Sequence, residues 1–379
     1  MKTIHRNNQW KMHRLLSMSA GLLTAVAFTS CIYDAEVADN GDGDGDTYIR
    51  LSLTPQEPTS RAAEDDPHAG TDAESKFHSL RVWAFNGDSG SDGDMPLSYK
   101  EDEAPSGTVT MPIPRKSGGA EYKTLDLYIL ANGESGSTLS GTANNKVKTR
   151  GELKAATISG KFSVNADKSA QATAVPETGL PMSRAVTAIA VDDFKSENPV
   201  PDKSIKVNLH RAVSKLSFYF ARKANAGVDR AYITGVTING GSIAAKEKVF
   251  TAEERFSGNM ATAATSASLP ADAGTLGEII YGKTAAGSVA TLASGADPKE
   301  YLKRTDEDAA AYLERLTGAG MSAKYTTYLN EAAGSVTGTI RYRLFDTDNE
   351  RSVSFTIPSG KFLRNYEVVI YAYFVGGEL

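Results

Sequence analysis

Two short stretches of this sequence match patterns that can carry chemistry. Residues 277–284 read GEIIYGKT and satisfy the P-loop pattern, in which backbone N–H groups and a lysine bind a nucleotide phosphate. Such a site needs a hydrophobic strand before the loop and a helix after the Lys-Thr pair. Here PADAGTL precedes the motif and the glycine-rich run AAGSVATLASG follows it. We therefore expect no nucleotide site.

The second stretch is GDSG at residues 87–90, which matches the serine loop of trypsin-like proteases. Hydrolysis would need a histidine base and a carboxylate that orients this base. Only His68 and His78 lie nearby, and their order and spacing do not fit, so a tight turn after a strand explains the residues. The five histidines of the chain show no paired spacing, which disfavours a zinc site. We predict no catalytic residue, no metal, no cofactor and no enzymatic activity.

Cys31 is the only cysteine in the 379 residues. A basic start and an apolar run at residues 15–28 precede it, which is typical of a signal peptide and too short for a membrane-spanning helix. The small residues just before Cys31 resemble a bacterial lipobox, in which the thiol is acylated and the cysteine becomes the mature N-terminus. The sequence predicts a signal peptide at residues 1–30 and a palmitate-type lipid anchor on Cys31.

An acidic, glycine-rich segment follows the cysteine and contains GDGDGD at residues 41–46. A calcium loop starting at Asp42 would place Thr47 where glycine is required and Leu53 where a bidentate glutamate is required. We interpret the segment as a flexible tether. Acidic residues after a lipidated cysteine resemble the signal that sends some Gram-negative lipoproteins to the outer face of the outer membrane.

The run TYIRLSLTP begins at Thr47 and alternates apolar with polar residues, which predicts a half-buried strand over residues 48–54. The polar stretch behind it contains Arg61-Ala62, an exposed type of site that an arginine-specific protease can cut. Cutting there would separate the strand from the rest of the chain. We assign Tyr48, Ile49, Leu51 and Leu53 to this removable strand.

Further runs occur in a recognisable order: KFHSLRVWAFNG at 76–87, TLDLYILANGES at 124–135, GLPMSR at 179–184, LHRAVSKLSFYF at 209–220 and FLRNYEVVIYAY at 362–373. With Cys31, the short strand and Arg61-Ala62, this ordered set resembles the fimbrillins. These are the lipoprotein-derived, type V pilins of anaerobic Gram-negative bacteria. The resemblance implies two transthyretin-like β-sandwich domains.

The strand pattern agrees with an all-β fold. Apolar-polar alternation predicts strands at residues 79–85, 108–113, 125–130, 185–191, 204–209, 214–220, 230–238, 338–344, 353–357 and 366–374. The exception is a short helical insertion, Ala309 to Leu316, with a capping box between Thr305 and Asp308. The linker ENPVP at 197–201 predicts a propeptide at residues 31–61, an N-terminal domain at 62–201 and a C-terminal domain at 202–379.

Cleavage behind the short strand would leave unpaired backbone groups, and exposed edges of this kind accept strands from other chains. The resemblance thus implies a fimbrial subunit at the cell surface that is joined to other pilin subunits by donor-strand exchange. Shaft fimbrillins carry further donor strands after the "RN..Y" strand, whereas this sequence ends soon after it at Leu379. We therefore expect an adhesive tip or minor subunit that binds an unidentified host or bacterial ligand.

Alternatives are a shaft or anchor subunit and a surface-exposed, ligand-binding lipoprotein that does not polymerise. The formal net charge of -5 disfavours nucleic acid as a partner, since phosphate binding needs concentrated positive charge.

Overall fold

Alternating apolar residues make this chain mostly β, in agreement with the predicted fold class. The computed structural model describes residues 46–55, 59–60, 72–103, 105–134, 136–139, 147–159, 175–224, 231–252, 255–257, 260–261, 269–281, 287–321, 323–344 and 349–374. The predicted lipidation residue Cys31 and the predicted cleavage residues Arg61 and Ala62 lie outside these ranges. No helix in the described ranges is long and apolar enough to cross a membrane.

The strands are β1 (Thr47–Pro55), β2 (Thr59–Ser60), β3 (Leu80–Asn86), β4 (Ser98–Asp102), β5 (Thr108–Ile113), β6 (Thr124–Ala131), β7 (Thr157–Ser159), β8 (Met182–Ala190), β9 (Ile205–Arg211), β10 (Ser214–Arg222), β11 (Tyr232–Ala244), β12 (Lys246–Lys248), β13 (Phe256–Ser257), β14 (Met260–Ala261), β15 (Thr275–Tyr281), β16 (Gly287–Ser288), β17 (Ala290–Thr291), β18 (Ala323–Leu329), β19 (Val336–Arg343), β20 (Arg351–Ile357) and β21 (Tyr366–Phe374). The α-helices are α1 (Asp72–Ser75), α2 (Arg150–Ala155) and α3 (Ala309–Gly318), and a 3-10 helix spans Pro298–Tyr301.

The first sheet has seven strands in the order β4-β3-β6-β8-β9-β1-β5. Its strands β8 and β9 pair only at Met182 and Ser183, so the sheet can fold over at this point. One apolar face of β1, β5 and β9 packs against the apolar face of β3, β6 and β8, and both contribute to one buried core. This arrangement is a sandwich in which β1 supplies part of one layer.

The second and third sheets form another hydrophobic core. The second sheet has the order β17-β10-β21-β2 with β18 on β10, and the third has the order β15-β11-β19-β20 with β16 on β11. Phe218 and Phe374 of the second sheet share this core with Ile238 and Ile340 of the third sheet. Helix α3 covers the other side of the second sheet, where Leu313 and Leu316 join a smaller cluster. The transthyretin-like character of the two sandwiches stays a prediction.

The start of helix α3 corrects one sequence prediction. Thr305 lies in a turn, and the helix begins only at Ala309. Its N-cap is Asp308, whose side chain accepts a hydrogen bond from the Ala311 N–H at 2.7 Å. Asp and Thr are both good N-cap residues, and the chain uses the later one. The predicted capping box from Thr305 is therefore wrong, although the predicted helix is present.

Strand β9 bears on the expected domain boundary after residue 201. It pairs in parallel with β1 and antiparallel with β8, and its residues Ile205, Val207 and Leu209 enter the core of the first sheet. The predicted C-terminal domain, residues 202–379, includes this strand. The boundaries themselves stay a prediction, and the described residues all belong to one compact unit, Asn40–Leu379.

Candidate functional site

Strand β1 is an internal strand of the first sheet. It is antiparallel to β5, with Ile49 opposite Met111 and Leu51 opposite Val109. It is also parallel to β9, with Leu53 opposite Val207. Both backbone edges of β1 are thus paired, and β5 is attached to the sheet through β1. Removing β1 would unpair an edge of β5 and an edge of β9 together.

The side chains of β1 divide by the two-residue period of a strand. Ile49, Leu51 and Leu53 are 0%, 0% and 3% exposed and belong to the core of the first sheet. Tyr48, by contrast, is half-buried and points to the opposite face. Burial of each aliphatic side chain is worth about 1.5–3 kcal/mol. The predicted strand and the predicted inward positions of its apolar residues therefore agree with the structure.

Both ends of β1 are held by contacts outside the regular pairing. At its start, the Tyr48 N–H donates to the Ser196 carbonyl at 2.7 Å, and the Ser196 N–H donates to the Tyr48 carbonyl at 3.0 Å. At its end, the Leu53 N–H donates to the Gly107 carbonyl at 2.7 Å. Gly107 has a φ of +79°, and a Cβ there would lie 3.0 Å from the Leu53 carbonyl oxygen. Glycine thus permits the close approach of β1 to the start of β5.

A polar cleft of about 360 Å³ lies at the start of β1 and is lined by Thr47, Glu121, Asp192, Lys195, Ser196 and Glu197. The ammonium group of Lys195 lies 2.6 Å from Glu121 and 2.9 Å from Asp192. Burial opposes the charge of Lys195, but its hydrogen bonds to Glu121 and Asp192 outweigh this effect and raise its pKa. Ion pairs therefore fix the loop whose Ser196 binds β1.

Strand β2 is a second contact of the same segment, and sequence reasoning missed it. Thr59 pairs with Tyr366 and Ser60 with Glu367 on β21 of the second sheet. Strands β1 and β2 both precede the predicted cleavage point in the sequence, and they pair with the first and the second sheet, respectively. A two-residue backbone pairing has no apolar periodicity, so the sequence carries no signal for it.

The residues of the two discounted chemical motifs have structural roles. The GDSG run follows β3 as a turn, in which the Asp88 carboxylate accepts a hydrogen bond from the Thr124 hydroxyl at 2.6 Å. This bond lowers the pKa of Asp88. Residues 277–281 of the P-loop pattern lie in β15, which pairs with β11, and residues 282–284 lie outside the described ranges. Among the described residues, no group of three or more His, Cys, Asp or Glu could hold a metal ion.

Two buried asparagines explain the "AN" and "RN" runs. Asn132 has a φ of 55°, accepts a hydrogen bond from the His78 N–H at 2.8 Å, and donates to the Lys76 and Leu180 carbonyls at 2.9 and 2.8 Å. Asn365 has a φ of 60° and accepts from the Arg211 N–H at 3.1 Å. Asparagine tolerates this left-handed backbone and supplies both donor and acceptor atoms. Asn132 follows the last residue of β6 and Asn365 precedes the first residue of β21, and each ties its strand to distant segments.

Arg364, next to Asn365, lies in a buried charge network that sequence reasoning also missed. Its Nε donates to Glu331 at 2.7 Å, and its Nη2 lies 3.5 Å from Glu247. Arg255 forms a second ion pair with Glu331. Burial raises the pKa of Glu247 to about 8, with the neighbouring Glu331 as a further cause, and Arg364 opposes this rise. The network ties β12 to the segment before β21.

One family model matches the part of the chain that forms the first sheet. Residues 47–211 match the family model of the major fimbrial subunit protein (FimA). Over these residues the chain is similar to that family. The matched range starts at the first residue of β1 and ends at the last residue of β9, so it coincides with the span of the first sheet. The resemblance to fimbrillins is confirmed.

Solved structures of proteins from Parabacteroides and Bacteroides species are also similar to the chain. A candidate cell adhesion protein of Parabacteroides distasonis is 14% identical, with a TM-score of 0.47 over 87% of this chain and 88% of that chain. A candidate cell adhesion protein of Bacteroides eggerthii is 13% identical, with a TM-score of 0.44 over 89% of this chain and 90% of that chain. No curated protein matches the sequence.

Proposed function

We propose that this chain is a non-enzymatic subunit of a cell-surface fimbrium that accepts a strand from a neighbouring subunit after β1 has been released. The observation that carries the proposal is the position of β1 between β5 and β9, with three inward-facing aliphatic residues. The match of residues 47–211 to the family model of the major fimbrial subunit protein supports the fimbrial role. In this proposal, cleavage between Arg61 and Ala62 precedes the release.

The release of β1 would create a specific vacancy. Strands β5 and β9 would each expose a row of N–H and C=O groups, and the core side chains that contact Ile49, Leu51 and Leu53 would meet water. Such edges bind added strands through main-chain hydrogen bonds, while alternate side-chain pockets supply specificity. A donor strand with apolar residues at every second position fits this vacancy, because the lost strand has the same pattern.

The pairing of β2 with β21 extends the proposed acceptor beyond the first sheet. Residues 59–60 would leave together with β1 because they precede Arg61, and the edge of β21 at Tyr366 and Glu367 would open. A donor that enters the β1 vacancy and continues in the same direction can therefore reach the second sheet. In this proposal the partners are other pilin subunits and an arginine-specific protease.

Before cleavage, the lipid on Cys31 would hold the precursor on the outer membrane, and the tether at residues 32–46 would connect it to β1. A single acyl group binds a membrane reversibly, whereas several chains anchor it firmly. Cleavage at Arg61 would separate the folded subunit from this anchor. The tip position and the adhesive ligand stay predictions, which immunogold labelling of intact fibres and adhesion assays can test.

The mature N-terminus distinguishes this proposal from a lipoprotein that never polymerises. Mass spectrometry of purified surface fibres is expected to find chains that begin at Ala62. The same chain from a strain without the arginine-specific protease is expected to begin at acylated Cys31. Fibres that contain this chain with acylated Cys31 and intact residues 47–61 would identify an anchor subunit. The complete absence of the chain from fibres would support the non-polymerised alternative.

A further inference from the structure

Helix α1 is the first described element after the predicted cleavage point, so it belongs to the part of the chain that remains after processing. Its residue Glu74 is 2% exposed, although it lies on a helix of only four residues. A buried carboxylate is unfavourable unless it is paired and hydrogen-bonded. The partners of Glu74 therefore indicate what holds this segment in place.

The Glu74 carboxylate binds two side chains from the second sheet. The Lys215 ammonium group on β10 lies 2.9 Å from its Oε1 atom. The Tyr328 hydroxyl on β18 donates a hydrogen bond to the same carboxylate. Burial and the negative charge of Glu74 raise the pKa of Tyr328, so this hydroxyl keeps its proton and stays a donor.

Arg211 binds the backbone of the same helix. Its Nε donates to the Glu74 carbonyl oxygen at 3.2 Å, and its Nη2 donates to the Ser75 hydroxyl at 3.0 Å. Arg211 is the last residue of β9, whose earlier residues pair with β1. The contact thus lies at the end of the strand that would lose its partner when β1 leaves.

Glu367 connects these contacts to the departing segment. Its carboxylate lies 3.6 Å from the Lys215 ammonium group and accepts a hydrogen bond from the Ser217 hydroxyl at 2.7 Å. Its backbone pairs with Ser60 of β2, the residue before Arg61. One lysine therefore lies between a carboxylate of the retained segment and a carboxylate beside the segment that would be removed.

We propose that Glu74 is a positioning residue that keeps the new N-terminal segment docked on β10 and β18 after β1 and β2 are released. In the intact chain the segment is held from both sides, by β2 and by Glu74. After cleavage the contacts of Glu74, Arg211 and Asn132 would still hold it. These contacts would keep β3 in place when β1 leaves, so that the vacancy keeps its shape. This inference rests on the proposed release of β1.

The sequence provides a direct probe of this positioning role. Lys76 is the first lysine or arginine after Arg61, so trypsin can remove residues 62–76 only by cutting after Lys76. This bond lies directly behind Glu74 and Ser75 in the sequence. Cutting of this kind reports how often a segment opens when closing is faster than cleavage. The full-length chain is treated with trypsin, and mass spectrometry follows the N-termini at residues 62 and 77 over time.

In the Glu74→Gln variant, cutting after Lys76 is expected to be about tenfold faster than in the wild type once Arg61 has been cut, because a buried charge-assisted bond is lost. In an Arg61→Ala background, the same substitution is expected to change the rate less than about twofold. Glu278→Gln, an exposed carboxylate on β15, serves as the matched control. Tyr328→Phe retains the carboxylate and provides a second variant with a smaller expected acceleration.

Equal rates of cutting after Lys76 in the Arg61-cut wild type and in both Arg61-cut variants would overturn the proposed positioning role of Glu74. An equal acceleration in the cut and uncut backgrounds would also overturn it, because Glu74 would then act as an ordinary structural residue. If Arg61 resists trypsin in the folded chain, another site-specific protease is used to cut the chain directly before Ala62. Failure of β1 to leave that cut chain would contradict the proposed function, while the Lys76 rates would still report on Glu74.

Discussion

At the scale of single residues, Asn132 fixes three segments of the first sheet with one side chain. Its amide contacts the backbone at Lys76, His78 and Leu180, and its left-handed φ turns the chain after β6. The residue is fully buried, so water cannot replace these bonds. The "AN" run that contributed to the fimbrillin resemblance therefore has a structural cause.

Replacing Asn132 with Ala is expected to lower the free energy of unfolding by roughly 3 kcal/mol. Three backbone groups lose a partner in the buried region, and alanine is unfavourable at a positive φ. Urea denaturation followed by circular dichroism measures the change. The exposed Asn198, whose side chain accepts one local bond from Val200, is the control, and Asn198→Ala is expected to cost less than about 1 kcal/mol. Similar losses for both variants would contradict this role of Asn132.

At the scale of elements, β1 is predictable and β2 is not. The alternation of Ile49, Leu51 and Leu53 predicts a strand, because only a period of two places all three on one buried face. By contrast, β2 is held by backbone pairing that any two residues could form. The sequence does not fix the N-cap of α3, because Thr305 and Asp308 are both suitable N-cap residues.

The buried charges could not be predicted from the sequence for a different reason. Glutamate and arginine are usually surface residues. The burial of Glu74, Glu331 and Arg364 depends on partners far away along the chain. Arg364, for example, binds Glu331, and Glu74 binds Lys215 and Tyr328. Sequence patterns report local periodicity, whereas these pairings are set by the arrangement of the sheets.

Strand β1 should leave the cut chain faster when its packing is weakened. Leu51→Ala removes a fully buried side chain, which typically costs 2–5 kcal/mol in a core, or about thirtyfold or more in the release rate. Size-exclusion chromatography at timed intervals after cleavage at Arg61 measures the separation of the fragment. The matched control is Ser52→Ala, which changes a half-buried neighbour that faces the other way. Equal release rates for the two variants would show that core packing does not hold the strand.

At the scale of the whole molecule, the segment before Arg61 closes one sandwich and also pairs with the next sheet system. The family match ends with β9, yet Arg211 and Asn365 connect β9 directly to the start of β21. Strands β1 and β2 thus pair with parts of the molecule that are themselves connected. Without β1 and β2, edges of β5, β9 and β21 would be unpaired.

The most direct test of this account is the polymerisation of an Arg61→Ala chain in cells that assemble fimbriae. The account predicts a folded, lipid-anchored monomer that is absent from high-mass polymers on immunoblots, whereas the exposed-arginine control Arg304→Ala assembles like the wild type. An Arg61→Ala chain that retains residues 47–61 and still enters polymers at the wild-type level would contradict strand removal as the step that opens the acceptor.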